Sequence, residues 1–132
     1  MTQAAKPLRI FVVENDEDTR RVFAMYLARR GHAVDSAASI AETVDKLRGQ
    51  AYDVLIADIG LPDGSGWELP QRLRTNGVPA PPFAIAMTGF GRGDDIERSR
   101  TAGFRHHLVK PLDTRKLAAI LDEAARTIAP PG

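Results

Sequence analysis

Short apolar runs alternate along this chain with longer stretches whose apolar residues recur every third or fourth position. Leu8–Val13, Val54–Ala57 and Phe83–Met87 are almost wholly apolar. Runs of that length without a polar face read as strands buried on both sides, as in parallel sheets. Phe104–Val109 is a further strand, and the more polar His32–Ser36 is a weak one suited to an edge or near-edge place. Between them lie helical patterns. Asp16 or Asp18 caps a helix running to about Arg30, with Val22, Phe23, Tyr26 and Leu27 as its inward stripe and Gly31 at its C′ position. Ser39 and Glu42 form a capping box for a helix to about Arg48, with Ile40, Val44 and Leu47 turned inward and Gly49 stopping it. A third helix spans Trp67 to about Thr75, where Pro70 is tolerable if it lies in the first turn. A fourth, about Gly93 to Ala102, has only Ile96 and Ala102 as core contacts, which predicts low local stability. Asp113 caps a fifth, with Leu117, Leu121, Ala124 and Ile128 on one face.

Five strands alternating with five helices over short connections predict an α/β fold. The sheet is doubly wound and parallel, and right-handed crossovers place helices on both faces. The length of 132 residues suits one domain, with 1–7 a loose arm, 129–132 a tail and the proline-rich Asn76–Pro82 a stiff linker. No apolar run approaches a membrane span, and the N-terminus lacks a secretory h-region, so no membrane association is expected. The absence of cysteine removes disulfides, thiolate catalysis and Cys-based zinc sites, and fits a cytoplasmic location. With a formal net charge of +1 and its arginine pairs on a solvated helix face, the chain is not expected to bind nucleic acid.

In a parallel sheet all strand C-termini share one rim, where ligands bind. The residues there are Glu14, Asn15 and Asp16, then Asp58, Thr88 and Lys110. An aspartate at a strand end is by itself ordinary turn chemistry. Clustered carboxylates, however, repel unless a cation lies among them, and an all-oxygen set suits Mg²⁺. A carboxylate beside that ion can attack phosphorus, while a hydroxyl and an ammonium bind the phosphoryl oxygens. Together these groups ask for a phosphoaspartate.

Four motifs carry a family resemblance: Val12-Val13-Glu14-Asn15, the turn Asp58–Gly66, Met87-Thr88-Gly89 and Leu108-Val109-Lys110-Pro111. In this order and at these separations, the chain resembles the CheY-like receiver domain of two-component response regulators over essentially its whole length. The resemblance implies a flavodoxin-like strand order 2-1-3-4-5. It makes Asp58 the phosphoacceptor, Thr88 the hydroxyl that turns toward the phosphoryl group and Lys110 the cation that contacts it. It also places Pro111 at a cis-proline position that turns Lys110 into the site. Gly60 would offer its backbone carbonyl to Mg²⁺, and the small Gly89 would leave the phosphate room. The implied donor is a histidine kinase or a phosphotransfer protein. The implied output is a protein partner on the face of helix four, strand five and helix five, since no output segment follows. A free-standing regulator, a phosphate relay and a receiver from a hybrid kinase all stay open; the run His106–Asp113 is similar to receivers attached to hybrid sensor kinases.

The departures from the family pattern are as informative. Two consecutive acidic residues normally follow strand one, the second binding Mg²⁺; here Glu14 and Asn15 stand there. Weaker Mg²⁺ binding is expected, with Asp16 substituting if the turn shifts by one residue. His107 holds the position of the switching aromatic residue, which adds a titratable group, whereas His106 reads as an exposed histidine. Phe90 would cover the phosphoryl group and slow its hydrolysis; Trp67 and Tyr52 read as packing residues. Two alternatives remain. Asn15 favours a phosphorylation-independent pseudo-receiver. A haloacid dehalogenase-like phosphohydrolase would need a second Asp at position 60, where Gly60 stands. The receiver itself is expected not to be an enzyme beyond promoting its own phosphorylation and dephosphorylation.

Overall fold

The computed structural model describes residues 7–89 and 93–128, with backbone only for 93 and 94. Residues 1–6 of the expected arm, the tail at 129–132 and Phe90 lie outside them. Five strands form one parallel sheet: β1 (Arg9–Val13), β2 (Ala33–Ala37), β3 (Val54–Asp58), β4 (Phe83–Thr88) and β5 (His106–Val109). Their order is β2-β1-β3-β4-β5, with the polar β2 at one edge as its composition predicts. Every residue of β3 and β4 is buried, which is why these two read as unbroken apolar runs.

The helices are α1 (Glu17–Arg29), α2 (Ile40–Leu47), α3 (Leu69–Thr75), α4 (Gly93–Ala102) and α5 (Thr114–Ile128). Alternate strand residues face opposite layers. Ile10, Val12, Ile56, Ile85 and Met87 pack with α1 and α5 through Phe23, Leu27, Leu117 and Leu121. Phe11, Val13, Leu55, Ala57 and Ala86 pack with α2 and α3 through Ile40, Leu47, Leu69 and Leu73. Each fully buried Leu or Ile contributes roughly 1.5–3 kcal/mol relative to exposure, so the two layers supply most of the drive to fold.

Several expectations are corrected in detail. Val22 is 65% exposed rather than inward, because the core buries Phe23 and Leu27 of α1 and takes Tyr26 at its margin but does not extend under Val22. Ile96 is 41% exposed, so α4 has even less apolar grip than expected. The third helix opens as a 3₁₀ turn, Gly66–Glu68, before α3, and buried Pro70 sits in its first turn, where missing an N–H costs nothing. β2 runs one residue later than read, β1 starts at Arg9 and β5 only at His106, all shifts at strand ends. A two-residue antiparallel ribbon, Gly60–Leu61 with Gly64–Ser65, was not anticipated.

The connection after β3 also completes α2. Asp63 accepts hydrogen bonds from the N–H groups of Ile40 at 2.9 Å and Ala41 at 3.0 Å, while Ser39 Oγ accepts from Glu42 N–H at 3.1 Å. Amides that a helix start leaves unpartnered are thus met partly from a distant loop. Those two N–H bonds hold the Asp63 carboxyl below its ordinary value, despite some desolvation.

Candidate functional site

The strand ends bring the sequence-derived candidates to one rim. Register places Val13 beside Ala57, Asp58 beside Met87 and Thr88 beside Val109, so Glu14, Asp58, Thr88 and Lys110 each leave the sheet at the same level. Asp58 and Thr88 are each 8% exposed and Glu14 is 2% exposed. Carboxylates this far from water need partners, and one ammonium serves both. Lys110 Nζ donates to Asp58 Oδ2 at 2.7 Å and to Glu14 Oε1 at 2.9 Å. Burial pulls the Lys110 ammonium down, but the hydrogen bonds and charges of Asp58 and Glu14 outweigh it and hold the group above its ordinary value. Lys110 is therefore cationic throughout the neutral range.

Backbone groups complete the cage. Gly60 N–H donates to Asp58 Oδ1 at 3.1 Å and Asp16 N–H donates to Glu14 Oε2 at 2.9 Å. The Lys110 N–H donates to the Thr88 carbonyl at 2.8 Å, and the Lys110–Pro111 peptide bond is cis. Gly66 N–H donates to the Ile59 carbonyl at 2.8 Å, folding the turn back onto the aspartate. A Cβ at Gly66 would stand 2.2 Å from the Asp58 carbonyl oxygen, so only glycine permits that closure. Among the described residues nothing lies within 4 Å of where a Cβ at Gly89 would stand.

Not every candidate is equally engaged. The Asp16 carboxylate caps α1, its Oδ2 accepting from Thr19 N–H at 2.9 Å and Thr19 Oγ1 at 2.7 Å. Asn15 is exposed. Arg20, read from the sequence as part of a solvated arginine pair, is instead half-buried and donates to the Glu14 carbonyl at 2.8 Å, pinning the acidic turn.

A family model for the response regulator receiver domain matches residues 10–122. The chain belongs to this family. It is 34% identical over 122 residues to the two-component response regulator ORR41 of Oryza sativa subsp. japonica, covering 89% of this chain and 94% of that protein. It is 29% identical over 119 residues to the two-component response regulator PhoP of Pseudomonas aeruginosa, but spans only 52% of that protein's length. Among solved structures, a two-component response regulator from Clostridium difficile superimposes with a TM-score of 0.84 at 26% identity, covering 93% of this chain and 99% of that one. A CheY-like response regulator receiver domain from Methylobacillus flagellatus gives 0.79 at 25% identity, covering 90% of this chain and 99% of that one.

Receivers of this family bind Mg²⁺ at the phosphorylation site, and the donors here suit that ion. One ammonium lies against two carboxylates, and the Asp58 and Glu14 side chains beside it offer oxygen donors. Among the described residues no group of three or more His, Asp or Glu side chains is arranged to hold a metal. A carboxylate-poor site that relies on water and phosphate oxygens is the habit of Mg²⁺.

His107 faces the α4 side of the sheet, where its Nδ1 is 2.8 Å from Ser99 Oγ. Burial holds its imidazole below the ordinary value, with Asp95 pulling weakly the other way. His106, expected to be exposed, is half-buried on the α5 side, its Nε2 3.0 Å from Glu123 Oε1. Trp67, expected only to pack, donates its Nε1–H to Ser99 Oγ at 2.8 Å, with the Arg98 guanidinium 4.1 Å above its ring. The signal for Ser99 in the sequence was its place three residues before Ala102, a hydroxyl on the side of the helix expected to face inward. Tyr52 packs edge-on against Phe11 at 5.3 Å, as expected of a packing residue.

Proposed function

We propose that this receiver accepts a phosphoryl group on Asp58 from the phosphohistidine of a histidine kinase or phosphotransfer protein. A carboxylate oxygen of Asp58 bonds to phosphorus, the phosphorus–nitrogen bond breaks, and the leaving imidazole nitrogen keeps the electron pair and is protonated by water. The observation carrying this reading is the Lys110 ammonium 2.7 Å from Asp58 Oδ2 on a rim shared with Thr88. Lys110 orients the nucleophile through its hydrogen bond to Asp58 Oδ2, and contacts the phosphoryl oxygens after transfer. Thr88 turns its hydroxyl to the same oxygens, and His107 follows on the face of α4, β5 and α5, where a protein partner reads the change. Glu14, Asn15, Asp58 and the Gly60 carbonyl would hold Mg²⁺, with Asp16 in reserve at the cap of α1. When bound, that ion neutralises charge on the transferring group.

The chain acts in this reading as a signalling module that promotes only its own phosphorylation and dephosphorylation. Asn15 supports a second reading, a receiver that binds its partner without phosphorylation, since an amide brings no charge to the metal site. Intact mass after incubation with acetyl phosphate and Mg²⁺ separates the two. The wild type should gain one phosphoryl group and Asp58→Ala none. No gain in the wild type with acetyl phosphate, and none with a phosphohistidine donor, would favour the second reading.

A further inference from the structure

We propose that Trp67, Ser99 and His107 form a hydrogen-bonded latch that holds α4 against β5, and that loading Asp58 opens it. The inference rests on the reading of Asp58 as the phosphoacceptor. Ser99 is 1% exposed, and both its partners lie 2.8 Å away on separate elements, the 3₁₀ turn and β5. α4 packs on those same two elements. Apolar contact adds little to its hold, because Ile96 is exposed and Ala102 only half-buried. Beside the indole, a groove of about 530 Å³ lined by Trp67, Gln71, Arg74, Arg98 and Thr101 leaves the helix room to move.

Both ends of the latch reach the phosphoacceptor rim. Trp67 follows Gly66, whose backbone is packed so tightly on the Asp58 carbonyl that no Cβ fits between them. A shift of the Asp58 backbone therefore passes into the indole. His107 pairs with Ala86, and Thr88 lies two residues further along β4 on the same face of the sheet. The small Ala86 leaves the imidazole space to lie inward. The latched position is also incompletely satisfied: His107 Nε2 is buried with no hydrogen-bond partner among the described residues. An orphaned buried nitrogen narrows the free-energy gap to an alternative in which the ring finds a partner, which is what a two-state element requires.

Trp67 is the chain's single tryptophan, so its indole N–H gives one assignable ¹⁵N-correlated resonance. The test follows that resonance and its solvent exchange with and without beryllofluoride and Mg²⁺. In the unloaded wild type exchange should be slow; on loading the resonance should move and exchange should quicken. Ser99→Ala should show the open indole before loading and bind beryllofluoride roughly fivefold more tightly, the lower end of ordinary coupling between sites. Ser99→Thr should restore wild-type behaviour. Trp67→Phe keeps a ring beneath Arg98 but removes the donor, and should tighten binding as Ser99→Ala does. An indole unmoved by loading, or variants that bind no tighter than wild type, would overturn the latch and leave Asp58 untouched. A wild type that binds no beryllofluoride would overturn the reading of Asp58 and the coupling with it.

Discussion

α5 and α4 cover opposite faces of the same edge of the sheet, and they are held there by different physics. α5 buries Leu117, Leu121, Ala124 and Ala125. α4 buries Ser99, which is tied to Trp67 and His107. The adjacent residues His106 and His107 divide accordingly, one reaching Glu123 of α5 and the other Ser99 of α4. Apolar burial is non-directional and scales with area, so a small displacement of α5 exposes surface everywhere along its stripe. A hydrogen bond is directional and lost over a fraction of an ångström, so α4 can be released by one local change. The contrast fits the proposed division, with α5 as the anchor and α4 as the element that moves.

Four measurements would break or sharpen that contrast. The largest effect is expected from Leu121→Ala, which should cost about 2–5 kcal/mol in denaturant unfolding through the lost burial and the cavity left behind. A loss under about 1 kcal/mol would mean that α5 is not anchored by its apolar stripe. Asp63→Ala should cost about 1 kcal/mol, because it removes a polar tie on the α4 side of the sheet, the cap on α2. An unchanged melting temperature would show that Ser39 suffices.

Acid should weaken both faces through buried His32 and half-buried His107. Burial depresses His107, opposed by Asp95; burial also depresses His32, helped by Arg30 and opposed by Asp122. His32 Nδ1 accepts the Leu8 N–H at 3.0 Å and must be unprotonated to do so. Because the folded values lie below the unfolded one of about 6.5, the unfolded chain takes up protons first. Their contribution is whole above that pH and is lost as the pH falls through it toward the depressed folded values. Urea midpoints between about pH 7.5 and 5.5 should therefore fall with pH, and His107→Phe should flatten the slope. A wild-type midpoint constant over that range would contradict the burial argument. The smallest effect belongs to Ile96→Ala, expected within about 0.5 kcal/mol because the residue is already 41% exposed in the folded chain. A larger loss in thermal unfolding would show that α4 has an apolar grip after all.

The same contrast marks where the sequence was legible. The stripe of α5, the unbroken runs of β3 and β4 and the capped start of α1 each carry their signal within a few neighbouring residues, and all three stand where they were read. The rim residues Glu14, Asp58, Thr88 and Lys110 were legible too, because parallel topology alone brings strand ends together. Val22 and Ile96 misled because helical spacing says which side of a helix is apolar, not how far the sheet extends beneath it. Asp63, Arg20 and Trp67 were missed for another reason: each acts through a hydrogen bond to a group whose position depends on the folded backbone.

By itself, then, the sequence determined the alternation of elements, the strand order through its family motifs and the set of groups on the rim. Those follow from local periodicity and from a topology with few alternatives. Only the tertiary structure decided that one ammonium bridges Asp58 and Glu14, that Asp63 completes α2 and that Trp67, Ser99 and His107 meet. Such contacts join residues from 8 to 96 positions apart with tolerances of a few tenths of an ångström, and no one-dimensional pattern encodes distances that fine.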